Sequence, residues 1–175
     1  MVGKKRWVVA HVPGITQEWI QRLKDIGGGL SLTGWQYLAG SMPMAGVTLF
    51  AGPPFRWIVD SGINAGMSSD GMQIAPMNPW IHMYYATTGI NARGATINPG
   101  QQITRQEVLS LYTRENGWFV REEDHLGSIE PGKLADLVVL SDDYFSVANE
   151  DLKRIRSVLT VVGGNIVHDA GVLGR

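Results

Sequence analysis

The sequence predicts an α/β fold with parallel strands, followed by a smaller β portion. Three observations carry that reading. The chain opens as strand, helix, strand. The alternation of short β-branched runs with helical periods then continues to about residue 89. Beyond about residue 124 the helical period gives way to short apolar runs set around Pro131-Gly132 and Gly163-Gly164. A boundary is therefore expected between residues 1–123 and 124–175.

Each element has its own signal. "RWVVAHV" (6–12) is a β-branched run closed by Pro13-Gly14. A helix follows, with Thr16 as N-cap, Glu18 in its first turn and Gly27 after its end. Trp19, Ile20, Leu23 and Ile26 are expected on its apolar face. "GLSLTGW" (29–35) completes a βαβ unit, which implies a parallel pair with a right-handed crossover. Residues 36–52 read as loop. "PPFRWIVDSG" (53–62) is a helix entered through proline and left through glycine. "INAGMSS" (63–69) is the next strand, and Asp70 stands just past it. "NPWIHMYYATTG" (78–89) begins with Asn-Pro and ends in Gly, again a helix.

"ITRQEVLSLYTRENG" (103–117) holds the sharpest local signal. Thr104 and Glu107 have capping-box spacing, and Ile103 and Val108 have the spacing of a hydrophobic staple. Val108, Leu111 and Tyr112 form the stripe, and Asn116-Gly117 is expected to stop the helix. The strand "DLVVL", a short helical turn at "DLKR" and the hairpin "SVLTVVGGNIVHD" follow.

Composition excludes several roles. The 175 residues carry a net charge of −1 with 18% charged residues and no basic block, against a nucleic-acid stripe or a polybasic membrane anchor. There is no cysteine, so disulfides and thiolate metal sites are ruled out. The apolar core of "RWVVA" is far shorter than the roughly 7–15 residues of a signal-peptide h-region. A cytoplasmic protein is expected. "EPGKLAD" lacks the frame of a phosphate loop, and no glycine-rich loop opens a helix, which weakens a nucleotide-binding reading. Lys133 and Asp136 read as turn residues, with Asp136 bonding local backbone.

In parallel α/β folds the working residues sit at the carboxyl ends of strands. His11 and Asp70 occupy such ends. A neutral imidazole and a carboxylate are metal ligands, and a carboxylate moves protons. Each also has an ordinary reading, the histidine as a satisfied structural residue and Asp-Gly as a turn. Periodicity does not show that the two meet. His82, in a helix, reads as packing; His125 and His168 read as structural or exposed. Trp35, Gln36 and Tyr37, with Met67, Met72 and Met77, are candidate pocket walls, though ordinary packing serves them equally.

"LGSIEPGKLADLVVLSDD" (126–143) and "VLTVVGGNIVHDAG" (158–171) resemble the carboxyl-terminal signature of the metal-dependent amidohydrolase superfamily, most closely its amidohydrolase 3 branch. "ITRQEVLSLYTRENGWFVRE" resembles the helix leading into that signature. "GMSSDG" resembles the end of the eighth barrel strand, and "RWVVAHVPGI" the sixth-strand segment. The resemblance implies part of a TIM (β/α)8 barrel, about strands 6–8, plus part of a small carboxyl-terminal β-sandwich. It implies a divalent metal, typically zinc, held in part by His11 and Asp70. It also implies that Asp70 is catalytic, carrying a proton from water to the leaving amine of an amide-type substrate. Trp35, Tyr37 and Met72 would touch that substrate.

The family pattern also has a His-x-His pair, a lysine and a further histidine on earlier strands. The four histidines here form no His-x-His. The expectation is therefore a chain beginning at strand six. It would be a fragment or half of a split hydrolase, partnered by the missing amino-terminal half or by copies of itself. A catalytically inactive remnant or association module is the alternative.

Overall fold

The computed structural model describes residues 5–41, 52–72 and 74–174. Two three-stranded sheets organise it. The first contains β1 (Val8–Ala10), β2 (Gly29–Thr33) and β3 (Asn64–Ser68), parallel and in that order. Helix α1 (Gln17–Asp25) crosses from β1 to β2, and α3 (Phe55–Ser61) precedes β3. Thr16 caps α1 by accepting from the Trp19 amide at 3.3 Å. Pairing Leu30 with Ala65 and Leu32 with Met67 places these four on one face, where all are buried. Ile20, Phe55, Ile58 and Tyr85 pack in the same cluster.

The opposite face is built from small residues. A Cβ on Gly29 would lie 2.6 Å from the Trp118 ring, and one on Gly66 would lie 2.7 Å from Phe119. Glycine at these positions is what lets the aromatic pair close on the sheet. That pair sits on α6 (Gly117–Val120). Arg6 stacks on Trp118, bonds its carbonyl and reaches the Glu123 carboxylate, tying the chain opening to residues more than 100 positions away.

Helix α4 (Pro79–Thr88) starts from the Asn78 side chain and ends at Gly89, whose φ of +70° suits glycine. Helix α5 (Arg105–Tyr112) has the expected capping box. Glu107 also takes a two-pronged contact from Arg56 of α3, at 3.0 and 2.6 Å. The second sheet is antiparallel: β4 (Leu137–Leu140), β5 (Ser157–Val162) and β6 (Asn165–Asp169), with α7 (Asn149–Leu152) before β5. Gly163 and Gly164 both have positive φ, as a tight two-residue hairpin requires.

Several expectations are corrected. The apolar face of α1 is narrower than the period suggested: Ile20 is buried, but Trp19 and Ile26 are 58% and 49% exposed. Trp19 stacks under Arg22 instead. Residues 36–52 are not all loop, because α2 (Gln36–Ala39) forms there; 42–51 lie outside the described residues. The helix over 103–117 breaks at Thr113, whose hydroxyl bonds the Leu109 carbonyl at 2.8 Å. A 3-10 turn follows at Arg114–Asn116, and Gly117 opens α6 rather than ending a helix. Asp136 bonds local backbone through its amide, which donates to the Leu134 carbonyl at 2.9 Å, but its carboxylate reaches further: it accepts from the Gly163 amide at 2.7 Å and so pins the β5–β6 turn. Lys133 donates to the carbonyls of Glu123 and Leu126. Among the described residues no helix is long and apolar enough to cross a membrane.

The Glu107 cluster generates a test. Hydrogen bonds from Arg56, aided by those from Thr104, hold the Glu107 carboxyl down at about 2 from its ordinary 4.5. A depressed carboxylate stabilises fully above its unfolded value, and that stability is lost as pH falls through the folded one. Glu107→Ala is expected to lower the unfolding free energy at pH 7 by about 1–3 kcal/mol. In urea titrations the gap to the parent should narrow between pH 4.5 and about 2.

Candidate functional site

The site is built where β1 and β3 end. Neighbouring strands lie about 4.8 Å apart, so with β2 between them β1 and β3 are separated by nearly ten. Their side chains nonetheless meet across the end of β2. His11 Nδ1 lies 3.7 Å from Asp70 Oδ2. The pair is open to solvent, with side-chain exposures of 47% and 30%.

Strained backbone makes that approach possible. The last ladder bond of β1 runs from the His11 amide to the Ser31 carbonyl at 2.9 Å. The chain then reverses in a γ-turn: Val12 N–H bonds the Ala10 carbonyl at 2.9 Å, with His11 at φ +68°. Val12 follows at φ +39°, an outlier for a β-branched residue, and its side chain is buried. On the other strand, Asp70 has φ +51° and Met72 φ +73°. Asp70 tolerates this conformation well; Met72 does not. Such outliers cluster where a fold must hold side chains at a set place, each costing about 1–3 kcal/mol. Asp70-Gly71 carries the turn signal of the second bend, but no glycine marks positions 11, 12, 70 or 72 themselves, so the sequence does not show which residues take positive φ.

The end of β3 is anchored from behind. Tyr112 donates its hydroxyl to the Ser68 carbonyl at 3.3 Å, and its oxygen lies 3.0 Å from His82 Nδ1. His82 and the Tyr112 hydroxyl thus share a hydrogen bond behind the strand end. The His82 Nε2 is buried with no partner among the described residues, and burial lowers the His82 pKa to about 4. Burial raises that of Tyr112. Asn116 donates to the Met67 carbonyl at 3.1 Å. So His82, read as packing, is fully buried and bonded two residues from the site, a link that helical periodicity could not show.

The other candidates divide. Trp35 is half-buried just beyond β2. Tyr37 packs edge-on against Tyr84 at 5.9 Å. Met72 is 88% exposed, two residues beyond Asp70. Met67 belongs to the core and Met77 is 69% exposed. Gln36 is fully buried, and its carboxamide has no partner among the described residues. His125 pairs with Glu122 at 2.8 Å and His168 is exposed on β6.

Two ligands about 2.0–2.1 Å from a tetrahedral ion sit roughly 3.4 Å apart, so the His11–Asp70 spacing suits one shared ion. The set is incomplete, however. Among the described residues no group of three or more His, Cys, Asp or Glu gathers as a metal site, whereas a catalytic zinc takes three protein ligands.

A family model described as "Amidohydrolase family" matches residues 1–168. The chain is 30% identical over 111 residues to an N-substituted formamide deformylase of Arthrobacter pascens, covering 63% of this chain and 20% of that protein. Among solved structures, a triazine hydrolase variant superposes with TM-score 0.67 at 24% identity, over 93% of this chain and 36% of that one. An adenosine deaminase from Xanthomonas campestris with bound zinc gives TM-score 0.67 at 16% identity, over 93% and 37%. The chain thus spans a fifth of the curated relative and little more than a third of these neighbours, whose likeness places it in a TIM-barrel-related α/β fold.

The buried imidazole generates a test. A histidine whose folded pKa is depressed costs stability as pH falls from its free value of 6.5 towards about 4, because the unfolded chain takes the proton first. His82→Gln is expected to remove that sloping loss from pH-dependent urea unfolding. An unchanged slope would assign it elsewhere.

Proposed function

The chain belongs to the amidohydrolase family, and on that footing we propose that it forms the carboxyl-terminal part of a metal-dependent hydrolase. The bonds cleaved are carbon–nitrogen bonds of amide type other than peptide bonds. Residues 1–123 are read as the last part of a (β/α)8 barrel, about strands 6–8, and 124–175 as part of a β-sandwich. The change from parallel to antiparallel sheet on either side of residue 124 supports this division. The deformylase and triazine hydrolase likenesses support the bond type, and we place the work in the cytoplasm.

The observation that carries the reading is the 3.7 Å approach of His11 and Asp70 over the end of β2. His11 Nδ1 and an Asp70 oxygen would hold a divalent ion, zinc by preference. When bound, such an ion polarises the substrate carbonyl and makes water a nucleophile at neutral pH. The remaining ligands belong to polypeptide outside this chain. Asp70 has the catalytic part: one carboxylate oxygen accepts the proton of the attacking water and returns it to the departing nitrogen. The products are a carboxylic acid and an amine, with one water consumed. Trp35, Tyr37 and Met72 are proposed to bound the substrate.

A second reading rests on the incomplete donor set. With two ligands here and no third among the described residues, the chain could serve as an inactive association module. Metal analysis and hydrolysis of N-substituted formamides separate the two, using the chain mixed with the part of the deformylase outside the matched stretch. For the hydrolase, metal is bound stoichiometrically. Asp70→Asn should then lower turnover about 10²–10⁴-fold and leave the thermal midpoint within a few degrees. A metal-free, inert mixture contradicts it.

A further inference from the structure

The chain just before Asp70 is held by side chains as well as by its ladder. The last two carbonyls of β3 each take a bond from one helical run. Tyr112 donates its hydroxyl to the Ser68 carbonyl at 3.3 Å, and Asn116 donates its side-chain amide to the Met67 carbonyl at 3.1 Å. Successive carbonyls of a strand point in opposite directions, so the two bonds grip the strand end from two sides. The Ser68 hydroxyl adds a third bond, to the Leu32 carbonyl of β2 at 3.3 Å.

The sequence around this grip is arranged for it. Tyr112 and Asn116 are four positions apart, but the α-helix does not run between them. It breaks at Thr113 and gives way to a 3-10 turn. Asn116 is thereby turned so that its amide bonds both the Met67 and the Tyr112 carbonyls. So close an approach needs bare backbone opposite, and Gly66 supplies it: a Cβ there would overlap Asn116 Oδ1. Tyr112 is itself oriented from α4, where His82 Nδ1 meets its oxygen at 3.0 Å. The residues beyond Asp70 are fixed separately. The Gly71 amide bonds the Ser69 hydroxyl at 3.1 Å, and the Met72 amide bonds the Ala75 carbonyl at 2.9 Å. Asp70, at φ +51°, is the joint between the two held segments.

We propose that Tyr112 and Asn116 are positioning residues: they clamp the end of β3 so that Asp70 keeps its left-handed backbone and presents its carboxylate to His11. Both act through Asp70, and His82 acts through Tyr112. The consequence is preorganisation. With the bend already formed, an ion bridging His11 and Asp70 does not have to order the strand end as it binds. Without the clamp, binding must supply that ordering and affinity falls. The consequence for an ion rests on the proposed hydrolase reading; the clamp on Asp70 does not.

The test uses the full chain, Co²⁺ as the probe, and Tyr112→Phe, which keeps the ring and removes the hydroxyl. Co²⁺ affinity is read from broadening of the His11 and Asp70 signals. The Asp70 Cα and Cβ shifts, taken without metal, report its φ. The variant is expected to bind Co²⁺ about tenfold more weakly and to move the Asp70 shifts from the left-handed towards the extended range. Tyr144→Phe is the control, because it too loses a tyrosine hydroxyl bond to a backbone carbonyl, that of Arg105 at 2.9 Å. It should lower the urea midpoint comparably and move neither reading. Should Tyr112→Phe fail to fold, Asn116→Ala removes the other bond and carries the same expectations. Unchanged Asp70 shifts or unchanged Co²⁺ affinity in Tyr112→Phe, or equal changes in the control, overturn the proposal. If the parent chain takes no Co²⁺ at His11 and Asp70, the hydrolase reading fails, and the metal-free shifts alone decide the clamp.

Discussion

The register of three parallel strands is the constraint on which the rest depends. Pairing Leu30 with Ala65 and Leu32 with Met67 sends four apolar side chains into one core. β1 ends opposite Ser31 and β3 two residues further on, opposite Thr33, and the bends that follow let residues beyond both ends meet over β2. A slip of one residue would turn that apolar set to the other face. Glycine at 29 and 66 would then no longer lie under Trp118 and Phe119. Position and chemistry are thus set together: the pairing that buries the core also fixes where β1 and β3 release the chain that carries His11 and Asp70.

Register alone would leave the two side chains a strand apart. Left-handed backbone at His11, Val12 and Asp70 closes the distance. The core holds these bends in place. The Val12 side chain is buried, and Tyr112, with His82 behind it, bonds the last carbonyl of β3. The neutral state of His82 follows from the same burial, and its Nε2, without a partner among the described residues, is a polar cost carried inside the helical layer.

Much of this was legible in the sequence. The βαβ opening, the Thr104–Glu107 capping box, the Gly163-Gly164 hairpin and the placement of His11 and Asp70 at strand ends all follow from local signals. The rest depended on contacts distant in sequence. Trp19 and Ile26 fit the helical period, yet the core meets only part of α1, so they remain outside. The Asp136 carboxylate is drawn to Gly163 across 27 positions, while only its amide bonds nearby backbone. The break at Thr113 depends on a hydroxyl turning back to Leu109, a choice that Ser and Thr leave open in any helix. The γ-turn at His11 has no local signature, because it is imposed by the ladder before it and the buried Val12 after it.

The central claim is that His11 and Asp70 address one ion from two strands. The most direct measurement is nuclear relaxation with a paramagnetic divalent ion, Co²⁺ or Mn²⁺, added to the protein in substoichiometric amount. The account expects the His11 imidazole and the Asp70 carboxylate signals to broaden together and before those of His82, His125 and His168. Broadening at the exposed His125 or His168, with His11 and Asp70 unaffected, would contradict it.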